Sequence, residues 1–293
     1  NMVRTSPYVL IRSGGPASNY ITKKVGDKLN SLFTKDREEF QKKWNDIKVI
    51  IEYGMLSEDK FFDKAQKFAL YPTVNDEFFT FQELKDKISK TQTDKDGKLV
   101  ILYASNKNEQ HPYIETAKEK GYEVLLLDSP IISHLIQKLE TSNEKVTFSR
   151  VDADVIDNLI KKENEEISKL NDKEKEKLKT IIEENVPKEK YTVQLEAMDS
   201  AASPFIITFP EFMRRMKEMQ QSGGNSMFGN MPEMYNLIVN VKNPIKSEKL
   251  KSKSKDKKQR LINQSLDLAK LSQNLLKGED LTSFIKRSID FIK

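Results

Sequence analysis

Residues 98–105, KLVILYAS, and residues 122–128, YEVLLLD, decide the fold of this chain. Each is an unbroken apolar run of strand length, without the alternation of polar and apolar residues that a half-exposed strand shows. A helical pattern that ends at Gly121 separates them, and a second helix leads to a third strand within 145–152, KVTFSRVD. Strands that are buried on both faces are typical of parallel sheets covered by helices. These residues therefore predict a small three-layer α/β/α unit with a parallel sheet.

Helical patterns precede this unit. Residues 20–33, YITKKVGDKLNSLF, and residues 37–55, REEFQKKWNDIKVIIEYGM, repeat apolar side chains every three or four positions. The single tryptophan, Trp44, lies on the apolar stripe of the second pattern, so we predict that it is buried. A third helix, within 58–71, is predicted to end at Pro72.

The remainder of the chain predicts a second domain of the α+β class. A charged helical connection leads to two strands in YTVQLEAM and SPFIITFP, a methionine-rich helix and a short apolar element, MYNLIVNV. Helices close the chain; Gly278 is predicted to end one of them, and Asp280 to cap the last. The fold class is thus α/β for the small unit and α+β overall. The predicted divisions are an irregular segment at 1–19, a first domain at 20–165 and a second at 166–293.

Composition restricts the possible classes of function. The chain has 293 residues, of which 37% are hydrophobic and 32% are charged, and it contains no cysteine. Disulfide and thiolate chemistry are therefore excluded, as suits a cytoplasmic protein. Because no apolar run approaches the roughly 20 residues that span a bilayer, we expect no membrane partner.

Motifs for catalysis are absent from the sequence. His111 and His134 have no metal-ligand spacing around them, so no metal site is predicted. The sequence also lacks a glycine-rich phosphate loop and a nucleophile elbow. A complete hydrolase would need such a motif, and we therefore expect that this chain alone is not an enzyme.

A basic run at 242–260 keeps a second class of function open. It holds nine basic and two acidic residues, which could bind the phosphates of a nucleic acid. No aromatic residue is interleaved to stack on bases, so a solvated charged face is favoured. A salt titration separates nucleic-acid binding from the binding of apolar partners, because phosphate binding weakens steeply with salt and apolar binding weakens little.

The last helices predict a homodimer. Leucines recur at seven-residue spacing in the first of them, and apolar residues form a stripe in the second. Two short amphipathic helices leave apolar surface that a two-fold partner would cover as a four-helix bundle, although packing within one chain remains the alternative. The residues predicted at this interface are Leu261, Leu268, Leu271, Leu275, Leu281, Phe284, Ile285, Ile289 and Ile292.

Long strings of this sequence resemble the heat-shock protein 90 chaperone family, most closely its bacterial members. They are residues 20–33, 44–71 (WNDIKVIIEYGMLSEDKFFDKAQKFALY), 111–140 (HPYIETAKEKGYEVLLLDSPIISHLIQKLE) and 268–292 (LAKLSQNLLKGEDLTSFIKRSIDFI). The resemblance implies a fragment of an ATP-dependent chaperone that binds non-native client proteins and forms a homodimer. It further implies that 20–165 is the later part of the middle domain, that 166–293 is the C-terminal dimerisation domain, and that the N-terminal ATPase domain is missing.

The resemblance also implies where nucleotide and client would bind. ATP and Mg²⁺ would be cofactors of the full-length protein only, and the middle domain of the family lends an arginine to the nucleotide phosphate. Arg4 or, as an alternative, Arg12 would take that part, although the Leu-Gln that follows the arginine in the family is missing here. The client surface is predicted on one stripe of the methionine-rich helix, with Arg214, Arg215 and Lys217 on the rest of the helix. Methionine adapts to varied partners, although gap filling in a core is the alternative for this stripe, which comprises Phe209, Phe212, Met213, Met216 and Met219.

Overall fold

The computed structural model describes residues 16–162, 170–200, 202–223, 233–243 and 255–290, with the side chains of 16–19, 21, 219–223 and 255–257 left aside. The chain divides into two compact units. The first comprises Asn1–Lys107, Ala117–Arg150 and Glu218–Gly224, and the second comprises Asn108–Thr116, Val151–Lys217 and Asn225–Lys293.

The first unit begins with helices. They are α1 (Pro16–Lys35), α2 (Arg37–Ser57) and α3 (Asp59–Ala65). Helix α1 begins earlier than the predicted Tyr20, at a proline, which suits a first helical turn because its missing N–H would have no helical acceptor there. Helix α3 ends at Ala65, short of the predicted end, and Pro72 belongs instead to a short strand, β1 (Tyr71–Pro72), paired with β2 (Phe78–Phe79).

The predicted parallel sheet is confirmed. Its strands are β3 (Leu99–Ala104), β4 (Val124–Leu126) and β5 (Val146–Arg150), in the order β4-β3-β5 with both pairings parallel. Gly121 has φ 74°, a backbone conformation that favours glycine, before β4. In the sequence, α4 (Phe81–Ile88) precedes β3, α5 (His111–Glu119) lies between β3 and β4, and α6 (Ile132–Thr141) lies between β4 and β5.

The core of the first unit is aromatic and aliphatic. Trp44 is 2% exposed, as predicted from its position on the helical stripe. Phe81 stacks on Phe148 with ring centroids 6.4 Å apart, which joins α4 to β5. Helix α4 itself begins in a capping box, because the side chains of Thr80 and Glu83 bond each other's backbone N–H groups.

The second unit contains a mixed sheet. Its strands are β6 (Tyr191–Glu196), β7 (Phe205–Thr208) and β8 (Tyr235–Asn240). Both predicted strands, β6 and β7, are present, but they do not pair with each other; β8 lies between them, parallel to β6 and antiparallel to β7. The helices of this unit are α7 (Ile156–Leu159), α8 (Asp172–Glu183), α9 (Glu211–Gly223), α10 (Lys255–Ser272) and α11 (Gly278–Asp290).

Helix α10 supplies one wall of the second core. Ile262, Leu266 and Ala269 lie on one face at i, i+4 and i+7, and all three are buried against Ile207 and Leu237 of the sheet. The opposite face of α10 therefore points away from the core of its own chain.

The turn between α10 and α11 corrects two predictions. Helix α10 ends at Ser272, and Asn274, with φ 54°, takes the left-handed conformation just after it; Gly278 is also left-handed, with φ 57°, but lies beyond this turn. Asparagine tolerates this region better than most residues. Gly278 is instead the first residue of α11, and Asp280 lies within its first turn.

Among the described helices, none combines the length and the apolar character that crossing a bilayer requires.

Candidate functional site

The α9 face consists of Phe209, Phe212, Met213 and Met216. Phe212 is 69% exposed, the largest exposed fraction among the large apolar residues of the described chain. Met213 and Met216 are half-buried beside it, and nothing is described for the side chain of Met219. Phe209 is also half-buried, with its ring 5.2 Å from that of Tyr235 on β8. The predicted stripe thus divides into one exposed aromatic residue, two half-covered methionines and a phenylalanine packed on the sheet.

The two arginines of α9 form an ion cluster with Glu211. Arg214 is buried, and it pairs with Glu211 at the start of the helix. Arg215 donates from Nε to Oε1 of the same carboxylate over 2.7 Å. Burial raises the pKa of Glu211, but the charges of the two arginines lower it by more, so the pKa lies below its usual value. This ion cluster is therefore covered, whereas Phe212 on the same helix faces solvent.

A second ion cluster ties α9 to the sheet. Lys217 pairs with Glu233, which lies just before β8. Tyr235 donates from Oη to Oε2 of Glu233 over 2.6 Å. The hydrogen bonds from Lys217 and then Tyr235 lower the pKa of Glu233. Because both side chains of the Lys217–Glu233 pair are nearly half exposed, this pair adds little to the position of α9.

The hairpin face consists of Leu268 and Leu271 of α10 and Ile285 and Ile289 of α11. These four side chains are 47%, 45%, 49% and 46% exposed, respectively. No residue of α11 is buried between Gly278 and Asp290. An amphipathic helix without a buried residue leaves its apolar stripe uncovered within one copy of the chain.

The other residues of the predicted interface are more covered. Leu261 and Leu275 pack partly against the core of the second unit. Leu281 and Phe284 are half-buried, and Ile292 lies outside the described residues. The structure thus separates the predicted set into an exposed hairpin face and a partly buried flank.

Polar contacts hold α11 against α10. Arg287 pairs with Asp267, and Lys270 donates to Oδ2 of Asp280 over 3.2 Å. Asp280, predicted as a cap, instead takes this interhelical bond. The four side chains of the hairpin face remain exposed beside these polar contacts.

Tyr113 and Gln273 form a closed set of hydrogen bonds that sequence analysis missed. Tyr113 donates from Oη to the carbonyl oxygen of Ile207 over 2.7 Å. The amide of Gln273 donates to Tyr113 Oη over 2.6 Å and to the same carbonyl oxygen over 2.8 Å. Burial raises the pKa of the Tyr113 hydroxyl, which therefore remains a donor. No local pattern predicts a contact across 160 positions of sequence.

Other predicted sites are placed as follows. Arg4 and Arg12 lie outside the described residues, as does 244–254, which is most of the basic run. His111 is exposed, on a helix. Within the described part of the chain, no group of three or more histidine, aspartate or glutamate side chains is arranged to hold a metal ion.

Comparison with known proteins gives consistent matches. The family model described as Hsp90 protein matches residues 17–287. Chaperone protein HtpG of Bacteroides thetaiotaomicron is 38% identical, over 94% of this chain and 50% of the relative. Chaperone protein HtpG of Porphyromonas gingivalis strain W83 is 40% identical, over 78% of this chain and 34% of the relative. The chain spans about half the length, or less, of the curated relatives it matches.

Proposed function

Since the chain belongs to the Hsp90 protein family, we propose that it binds non-native polypeptides on the α9 face and pairs with a second copy through the hairpin face. The relatives are named as chaperones, and a chaperone needs apolar surface that its clients can reach. The observation that carries the client site is the 69% exposure of Phe212 beside two flexible methionines. Methionine adapts its shape to different partners, as varied clients require.

Energetics favour weak, promiscuous binding at the α9 face. Covering Phe212, Met213 and Met216 would contribute less than about 6 kcal/mol gross, because about 2 kcal/mol applies to a fully exposed side chain and the two methionines are already half-buried. Association costs roughly 4–15 kcal/mol in lost freedom. The remainder is small for one helix face, so a client would need further contacts or would leave quickly, which suits a chaperone that releases its clients.

The homodimer proposal is supported by the uncovered apolar stripe of α11. A two-fold axis places the same surface of both copies together, so four exposed side chains per copy would bury one another. Two hairpins then form the four-helix arrangement expected from the leucine spacing.

The remaining expectations for the whole protein are proposals. We propose that 20–165 belongs to the middle domain of the chaperone and 166–293 to its dimerisation domain. ATP and Mg²⁺ binding, with Arg4 or Arg12 near the phosphate, are proposed for the full-length protein alone, and this stretch of chain is expected to have no ATP turnover of its own. The cytoplasmic location likewise stays a prediction. No comparison supports nucleic-acid binding by 242–260.

Phe212→Ser tests the client site. Removing the exposed ring should weaken binding of a chemically unfolded test protein by about thirtyfold, and lower the suppression of its aggregation accordingly, because about 2 kcal/mol of apolar contact is lost. The melting temperature should stay almost unchanged, since the side chain contributes little to its own core. Light scattering and circular dichroism measure the two quantities.

Tyr20→Ser is the matched control. Tyr20 lies on α1 and is 62% exposed, so it is an equally accessible aromatic residue outside the proposed site. The Tyr20→Ser change should leave the suppression of aggregation unchanged. Equal losses from both variants, or no loss from Phe212→Ser in a folded protein, would contradict the proposed site.

A further inference from the structure

The side chain of Gln273 anchors the turn between α10 and α11 to strand β7. Gln273 is the first residue after α10, and its amide contacts both the carbonyl oxygen of Ile207 and Oη of Tyr113. Tyr113 donates to the same carbonyl oxygen, so each of the three groups contacts the other two. Ile207 is fully buried in strand β7, which makes it a fixed point of attachment.

The backbone of this turn is held at the same place. Asn274 has φ 54°, and the N–H of Leu275 bonds to the carbonyl oxygen of Lys270 over 2.9 Å. Leu276 is buried just beyond it. Near the turn, Asp280 is 66% exposed in its pair with Lys270, and further along α11 Arg287 pairs with the buried Asp267. Exposed ion pairs contribute little, so the hydrogen bonds of Gln273 rather than the Lys270–Asp280 pair fix the hairpin at its turn.

We propose that Gln273, through its hydrogen bonds to Tyr113 and Ile207, is a positioning residue that sets the direction in which α11 leaves α10 and thereby the affinity of the homodimer. This inference rests on the homodimer proposed above. Gln273 and Tyr113 need not touch the partner copy; they keep α11 in the orientation that an isologous interface requires of both copies.

The expected effect follows from populations. A binding-competent state that is only partly populated weakens the apparent affinity by the populated fraction. If loosening the turn leaves about one third of each copy in the competent orientation, both copies together weaken the dimer about ninefold. The apolar side chains of the hairpin face would all remain in place.

Two variants and one control test this inference. Gln273→Leu removes both amide hydrogen bonds at similar volume, and Tyr113→Phe removes only the hydroxyl. Ser272→Ala is the control, because Ser272 is adjacent and exposed and its hydroxyl bonds only within its own helix, to the carbonyl oxygen of Leu268 over 3.2 Å. Sedimentation equilibrium gives the dimer dissociation constant at a temperature where circular dichroism shows each variant folded.

A spin label adds a readout of orientation. Because the chain has no cysteine, Lys286→Cys places a single label on the exposed face of α11 in each copy. The unchanged turn should give one narrow inter-subunit distance. Gln273→Leu should broaden this distance and weaken the dimer roughly tenfold. Tyr113→Phe should change both in the same direction but by less, because the Gln273–Ile207 bond remains, and Ser272→Ala should change neither.

The outcomes separate the inference from its premise. A monomeric parent chain would overturn the homodimer proposal and this inference with it. A dimeric parent whose two variants keep its dissociation constant and its narrow distance would overturn the role of Gln273 alone. If Gln273→Leu does not fold, Tyr113→Phe decides: it removes two of the three hydrogen bonds of the set, and an unchanged dissociation constant and distance would overturn the inference.

Discussion

A chain that carries Leu268→Asp and Ile289→Asp is expected to sediment as a folded monomer at concentrations where the unchanged chain is a dimer. Both side chains are nearly half exposed within one copy, so the changes cost little in the isolated fold. In the dimer they would bury four carboxylates against apolar surface, each at a cost of several kcal/mol. The dimer dissociation constant should therefore rise by a factor of about 1,000 or more.

Ile50→Asp is the control for this pair. Ile50 is 61% exposed on α2 of the first unit, outside the hairpin face. It should leave the dimer intact, which shows that an added charge does not dissociate the chains by itself. A dimer that persists at low micromolar concentration with both hairpin changes present would contradict the proposed interface.

Glu52 should give the first unit a strong pH dependence of stability. The side chain lies on α2 and is only 7% exposed. Burial raises its pKa from 4.5 to about 7, while a hydrogen bond with Ser129 and the charge of Lys48 lower it in part. Lys48 is itself paired with Asp128 at 2.5 Å, and the charge of Asp128 raises the pKa further. Tyr71, buried nearby, adds no positive charge to balance the carboxylate.

The direction of the effect follows from the raised pKa. An unfolded chain ionises Glu52 near pH 4.5, whereas the folded chain holds its proton until about pH 7. The contribution is therefore fully present below pH 4.5 and is lost as the pH rises through 7. Glu52→Gln keeps the shape and removes the ionisation, so its stability relative to the parent should grow by about 3 kcal/mol between pH 4.5 and pH 8.

Urea unfolding at several pH values measures this difference, and Glu83→Gln is a control of opposite sign. Arg37 bonds the Glu83 carboxylate and lowers its pKa from 4.5 to about 2. Its contribution is present above pH 4.5 and is lost as the pH falls towards 2. Glu83→Gln should therefore be the less stable variant at neutral pH. A stability difference for Glu52→Gln that does not vary with pH would show that Glu52 is not buried as described.

The parallel sheet could be predicted because its signal is local. Residues 99–104 and 124–126 are apolar on both faces, and a single helix, α5, lies between them. Trp44 likewise follows from its place on a helical stripe. The two apolar helices at the end of the chain were predicted from spacing, and the exposed residues Leu268 and Ile285 lie on them.

The features that were missed depend on partners far away in sequence. Strand β8 lies between β6 and β7, and pairing order is set by tertiary packing rather than by the pattern of any one strand. The burial of Arg214 depends on Glu211, which a helical wheel alone does not reveal. Gln273 reads as an ordinary polar residue after a helix, and only the fold brings it to Tyr113.

Site-specific photo-crosslinking at position 212 tests directly whether the α9 face binds non-native polypeptides. A photoreactive phenylalanine analogue replaces Phe212 in one sample and Ile50 in another, and each chain is mixed with one test protein in unfolded and in native form. We expect crosslinks from position 212 to the unfolded protein, with few to the native protein and few from position 50. Equal crosslinking from both positions, or to both forms of the test protein, would contradict the proposal that the α9 face binds non-native polypeptides.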